Sequence, residues 1–338
     1  MCDQGCEMLH RLPTLGRVTS ADALSTAPVL ARVVRSGFVE SMHRGLAVEV
    51  AADGSVTRAY GDVDAPTFPR SSNKPMQAVA MLRAGADLDG DLLALATASH
   101  SGEDFHLEGV RRILASVGLD ESALQNTPDL PYDEQARTQW LRAGRDRASI
   151  AQNCSGKHAG MLAACVAAGW DPTSYLDPQH PLQRLMDQTV AELAGEPVAA
   201  TGVDGCGAPV MAIGLAGLAR AFGRVAAAPA GTPEGRVRDA IRSYPEFLGG
   251  TRRDVTALIR GVDGLIAKDG AEAVYAVGLA DGRGFAVKVA DGGQRARPVI
   301  MAELLRSAGV TGAAVDELGQ VPVLGHGQPV GTVEVEGI

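Results

Sequence analysis

No stretch of this chain stays apolar for long enough to cross a bilayer as a helix. Basic clusters are missing too. The 31 lysines and arginines are dispersed among 40 acidic residues, for a net charge of -9, which argues against nucleic acid and anionic membrane surfaces as partners. The opening residues Met1-Cys2-Asp3-Gln4-Gly5-Cys6-Glu7 lack the basic-then-apolar pattern of a secretory leader, so a cytoplasmic location is expected. Cysteines are few and odd in number, five in all, which points to reduced thiols rather than a disulfide framework. Cys2 and Cys6 carry no assigned role, and Cys165 reads as a buried small hydrophobe. No repeat of fixed period, heptad pattern or low-complexity tract is present. What remains is 338 residues, 46% of them apolar, enough for one large domain or two closely joined ones.

Along the chain, residues 1–28 are a polar lead-in without periodicity, expected to be poorly ordered. Strand patterns begin at Val29, and Asp53-Gly54 marks a hairpin turn between Leu46–Val50 and Val56–Tyr60. From Ser71 to about Gly223 the pattern is mainly helical, with amphipathic stretches near 75–85, 90–98, 104–117, 134–144, 157–168, 181–194 and 210–221. A further helix starts at Thr232-Pro233-Glu234. Strands return at Ala273–Leu279 and Phe285–Val289, followed by a helix near 298–307 and short strands near 321–324 and 329–335. Strands at both ends with helices between them predict an α+β domain over 29–338. Its antiparallel sheet is built from 29–62 and 265–338, and the helical segment spans about 71–250.

Four polar clusters stand out. In Arg70-Ser71-Ser72-Asn73-Lys74-Pro75, an S-x-x-K spacing at a helix start puts a hydroxyl and an amine on one face. Pro75 is tolerated only in the first turn, which fixes the helix start near Ser71 or Ser72. Taken alone, the pattern reads more readily as an N-cap serine and a solvated lysine. A lysine base must be pushed from ~10.4 toward roughly 7–8, so Lys74 is expected to lie buried beside another cation. In Ser99-His100-Ser101-Gly102-Glu103, Ser99 is either a second proton-handling hydroxyl or part of a helix-ending turn. In Asn153-Cys154-Ser155-Gly156-Lys157-His158, a helix start favours the thiolate of Cys154 and the neutral form of Lys157, with Ser155 as the cap. Asp204-Gly205-Cys206-Gly207 is a glycine-rich loop. Cys154, Lys157 and Cys206 together make a plausible zinc set, or two unrelated loop thiols. Lys268, in Ala267-Lys268-Asp269-Gly270, is either a site lysine at a sheet edge or an exposed lysine beside an Asp-Gly turn.

In this order, with Glu40-Ser41-Met42-His43-Arg44-Gly45 upstream, the clusters resemble the asparaginase II-like family, the thermolabile serine/lysine class, from about Val29 to the end. The resemblance implies a fold similar to serine β-lactamases and penicillin-binding proteins. It also implies catalytic Ser71, Lys74, Ser99 and Lys268, a non-obligatory zinc on Cys154, Lys157 and Cys206, and a homodimer. The activity implied is hydrolysis of L-asparagine through a serine acyl-enzyme. Arg70 is the expected partner of the substrate carboxylate and Asp204 of its ammonium, by charge, with His158 as a further substrate contact. Two departures from the β-lactamase pattern are visible: Asp269-Gly270 reads as a turn, and Ser99 follows Lys74 early. Alternatives are a glutaminase, another acyl-transfer enzyme of this fold, or a non-catalytic, zinc-stabilised amino-acid-binding protein. Asparagine and glutamine differ by one methylene, worth about 1–3 kcal/mol in a pocket.

Overall fold

The β-branched and small residues of Val29–Arg35 pair with the far end of the described chain. In the computed structural model, which describes residues 21–338, a short helix α1 (Ala21–Ser25) leads into β1 (Val29–Arg35), β2 (Phe38–Val50) and β3 (Val56–Tyr60). Residues 1–20 of the expected lead-in, Cys2 and Cys6 included, lie outside the described residues. After the two-residue β4 (Pro66–Thr67) come α2 (Lys74–Arg83), α3 (Gly90–Ala96), α4 (Asp104–Ser116), α5 (Glu134–Arg142), α6 (Ser155–Ala168) and α7 (Pro181–Ala194). Then follow β5 (Ala200–Val203), β6 (Pro209–Gly214), α8 (Leu215–Ala227), α9 (Pro233–Ser243), α10 (Pro245–Leu248) and α11 (Asp254–Gly261). The chain closes with β7 (Ile266–Gly270), β8 (Val274–Gly278), β9 (Gly284–Val289), α12 (Arg297–Ser307), α13 (Ala313–Leu318), β10 (Pro322–Gly325) and β11 (Gln328–Val335).

The main sheet runs β10-β11-β1-β2-β9-β8-β7, with β3 also on β2, and its pairings are antiparallel. Strands from both ends of the chain thus meet in one sheet and the helices lie between them in sequence, the mixed α/β arrangement expected. Every residue of β7, β8 and β9 is buried, because α8 and α12 both pack on β8 and β9 and cover their two faces. That double burial explains why β8 and β9 read as near-continuous apolar runs, whereas β7 carries Lys268 and Asp269. β7 is the last strand of the sheet, and its outer side meets the turn Arg70–Asn73.

Two local expectations are corrected. Residues 200–214, within the stretch read as mainly helical, form the hairpin β5–β6 and, with β4, a small second sheet. A short apolar run such as Pro209–Gly214 fits either helix or strand by pattern alone, and pairing with β5 decides it. Asp269-Gly270 is strand rather than turn. The reversal falls one step later, where Glu272 and Ala273 adopt left-handed backbone angles of φ 57° and 54°.

Candidate active site

A 3-10 turn, Arg70–Asn73, delivers the chain into α2 at Lys74. Arg70 sits at φ 51°, an uncommon conformation for a residue with a side chain and one that clusters at functional positions. The turn rests against the edge of β7, where Ser72 Oγ donates to Lys268 O at 3.1 Å. Gly270 makes this approach feasible, since a Cβ there would lie 2.8 Å from Pro69 O and 3.0 Å from Ser72 Oγ. A second close approach sets the other wall. A Cβ at Gly156 would lie 2.4 Å from Leu95 O, so a glycine at this position lets α6 pack onto α3 and brings Cys154 and Lys157 beneath Ser99.

Lys74 is only 1% exposed. Its amine donates to Ala98 O at 2.5 Å, Ser99 Oγ at 3.0 Å and Cys154 Sγ at 3.1 Å. Ser71 is half-buried, and among the described residues its hydroxyl is not hydrogen-bonded to Lys74. The amine's serine partner is Ser99 rather than Ser71. Lys268 is fully buried in β7 and donates to Asp269 O at 2.7 Å and Asp269 Oδ1 at 2.8 Å. Burial, with help from the positive charges of Lys74 and Arg253, pushes Lys268 down to about 8 despite Asp269. Asp269 also faces Arg253 and Arg297, and these cations overcome burial to hold its carboxyl well below the usual range.

The two thiols lie together. The Cys206 thiol shares its proton with Cys154, and this hydrogen bond, aided by Lys74 and Lys157 against the cost of burial, holds Cys154 well below an ordinary thiol. The same bond and burial push Cys206 up. Cys154 is the N-cap of α6, and its Sγ also lies 3.2 Å from Asn153 Oδ1; its lowering comes from Cys206 and the two lysines rather than from the helix start. Ser155 is not the cap; its hydroxyl donates to Ile150 O at 2.8 Å and lies 2.8 Å from His100 Nε2. Lys157 reverses the expectation of a neutral amine. Burial would lower it, but Cys206, Cys154 and Asp204 outweigh burial and raise it, with Lys157 Nζ 3.3 Å from Cys206 Sγ.

The substrate contacts expected from charge fare differently. Arg70 and Asp204 form an ion pair at 2.7 Å, so each neutralises the other. His158 is fully buried, with Nδ1 2.7 Å from Tyr175 Oη. Burial, Lys157 and Lys74 push it well below the ordinary histidine range, leaving a neutral ring inside the core.

A cleft of about 300 Å³ opens over Ser71 and Ser99 and is lined further by Tyr132, Arg253, Asp269 and Glu272. A larger groove, about 580 Å³, lies by Glu103, Trp140 and Arg145 and contains none of the serine, lysine or thiol groups described above. Arg253, Glu272 and Tyr132 were not singled out in the sequence. Glu272 stands four residues after Lys268, where a reversal out of the strand could have flagged it, whereas Arg253 in Thr251-Arg252-Arg253-Asp254 carries no local signal.

Among the described residues no group of three His, Cys, Asp or Glu side chains converges as metal ligands do, so a metal here requires Lys157 as its third donor. Two sulfurs and one nitrogen fit zinc, provided the thiols and Lys157 give up their protons on binding.

Residues 31–335 match the family model described as L-asparaginase II. No curated protein sequence gives a significant match. Among solved structures, Mglu in its native form in 4.3 M NaCl is 13% identical, with a TM-score of 0.44 over 87% of this chain and 68% of that one. Mglu in its tris and glutamate form is also 13% identical, with a TM-score of 0.42 over 86% of this chain and 65% of that one. EstCE1, a hydrolase with promiscuous acyltransferase activity, is 12% identical, with a TM-score of 0.36 over 80% of this chain and 90% of that one. All three are distant likenesses.

Proposed function

For a chain that belongs to the L-asparaginase II family by its match over residues 31–335, and so is an amidohydrolase, we propose hydrolysis of L-asparagine to L-aspartate and ammonia in the cleft over Ser71. The observation that carries this reading is a buried lysine, Lys74, hydrogen-bonded to one of two serines that line the same cleft. Ser71 Oγ attacks the side-chain carbonyl, and its proton passes to Lys74, directly or by way of Ser99 Oγ. The Ser71 amide, at the start of a helical turn, is one donor to the oxyanion. The second is assigned to the end of β7, where Gly270 and Ala271 line the cleft. The proton returns to the departing nitrogen, ammonia leaves, and water cleaves the aspartyl ester. Lys268, buried beside Asp269, serves as the second proton-handling amine.

Zinc on Cys154, Cys206 and Lys157 belongs to the same proposal, and when bound it would supply a local positive charge that polarises a nearby carbonyl. The chain itself holds Cys154 Sγ 3.1 Å from Lys74 Nζ, so the sulfur positions the lysine that handles the serine proton. A homodimer, which rests on the family alone, and a cytoplasmic location complete the reading.

The 3.0 Å bond between Lys74 and Ser99 favours a second assignment, with Ser99 as the nucleophile. Ammonia release from L-asparagine, L-glutamine and a β-lactam tests the substrate. Ser71→Ala is expected to fold and to lose nearly all turnover, while a substantial residual rate would move the nucleophile to Ser99. Peptide mapping after reaction with an electrophilic asparagine analogue identifies the labelled serine directly.

A further inference from the structure

We propose that Arg253 and Glu272 form a clamp that reads the carboxylate and the ammonium of an α-amino acid, restricting the cleft to amides that carry both groups. The inference rests on the amidase reading above and names what selects its substrate.

The first argument is the charge left over at the cleft wall. Arg253, Arg297 and Lys268 face only two carboxylates, Asp269 and Asp254. Arg297 is matched by Asp254 at 3.0 Å. Asp269 is left with both Lys268 and Arg253, so one positive charge is in excess where the cleft begins. Arg253 is the member that reaches the cleft. Its guanidinium donates from Nη2 to the Asp269 carboxylate and from Nη1, at 3.3 Å, to Ser99 O. Its face stacks 4.7 Å from the Tyr132 ring, which is half exposed at the mouth. A planar donor fixed on two sides, with hydrogens left over, suits an incoming carboxylate.

The second argument is the one acid at the cleft without a close cation. The Glu272 side chain is 60% exposed, and the nearest cation paired with it is Arg70 at 4.0 Å, itself bound to Asp204 at 2.7 Å. Its backbone is fixed, because the left-handed turn at Glu272 and Ala273 is pinned by Lys288 Nζ donating to Glu272 O at 2.5 Å. The carboxylate lies where a Cβ on Gly292 would come within 2.5 Å of Oε2, so the absent side chain leaves it room. A held backbone and an underused carboxylate beside an excess cation are complementary to a zwitterion.

The test uses three amides that differ only at these groups: L-asparagine, succinamate, which lacks the amine, and 3-aminopropanamide, which lacks the carboxylate. Arg253→Gln is expected to lower kcat/KM about 10- to 100-fold on L-asparagine and succinamate, as for loss of a hydrogen bond to a charged group, and to leave 3-aminopropanamide nearly unchanged. Glu272→Gln, an exposed position that keeps the fold, is expected to weaken L-asparagine and 3-aminopropanamide and to spare succinamate. Equal losses on all three substrates in both variants overturn the clamp while leaving the amidase reading intact. A wild-type protein that releases no ammonia from any of them overturns the amidase reading. The clamp is then judged by calorimetry on the Ser71→Ala protein, where tighter binding of L-aspartate than of 3-aminopropanoate, lost in Arg253→Gln, supports it, and equal affinities reject it.

Discussion

At the scale of single residues, the cleft depends on how buried charge is shared. Ser71, Lys74 and Cys154 could be found in the sequence because hydroxyls, amines and thiols at helix starts have few uses that repeat in one chain, and Cys206 because it stands in a glycine-rich loop. Arg253 could not, since arginines beside an aspartate are ordinary on a surface and only the fold turns this one toward Ser99. The charge guesses at Arg70 and Asp204 met a limit of the same kind: spacing cannot reveal that two opposite charges 134 residues apart are bonded to each other. Lys268 gives a pH prediction. Burial holds it at about 8, so the neutral amine needed by a base gains ground as pH rises through that value. The rate on L-asparagine is expected to climb through about pH 8, followed as kcat/KM across roughly pH 6 to 10. Lys268→Arg, which cannot deprotonate there, is expected to lose this limb, and an unchanged profile assigns the limb to another group.

At the scale of elements, the contact between the 3-10 turn and the last strand of the sheet decides where Ser71 sits. The helices α4 and α7 were legible because each buries a stripe of periodic apolar residues, and α2 and α6, buried nearly all round, because apolar runs follow a recognisable helix start. The hairpin β5–β6 was not, because its register against its partner strands is a tertiary fact. The role of Gly270 was equally hidden, since a glycine before a reversal looks like any turn glycine. Gly270→Ala places a methyl against the Pro69 carbonyl, a backbone atom that cannot swing away. The expected cost is about 1–3 kcal/mol, as for other overpacked sites, together with a fall in kcat as the turn carrying Ser71 is displaced. Urea midpoints and initial rates read the two effects separately; full activity at unchanged stability shows that the strand and the turn can part without consequence.

At the scale of the whole molecule, strands from the two ends of the described chain lie side by side. β1 pairs with β11 from Ala31–Val335 to Arg35–Gly331, and Glu336 N donates to Leu30 O at 2.9 Å. The sequence showed strands at both ends and helices between, which sufficed for the layer arrangement; the strand order needed the pairings. Ending the chain after Gln320 removes β10 and β11 and strips β1 of one neighbour. The intact protein is expected to melt in one cooperative step, and the shortened chain to melt far lower or fail to fold, as followed by circular dichroism. An equal melting temperature makes those two strands dispensable.

The neighbourhood of residues 30 and 336 also governs how this protein comes into being. During synthesis β1 and β2 leave the ribosome roughly 300 residues before their last partner exists, and contacts of such long sequence separation are slow to close. Until then the β1–β2 hairpin has edges open to other nascent chains, so the yield of refolding in vitro is expected to fall as protein concentration rises.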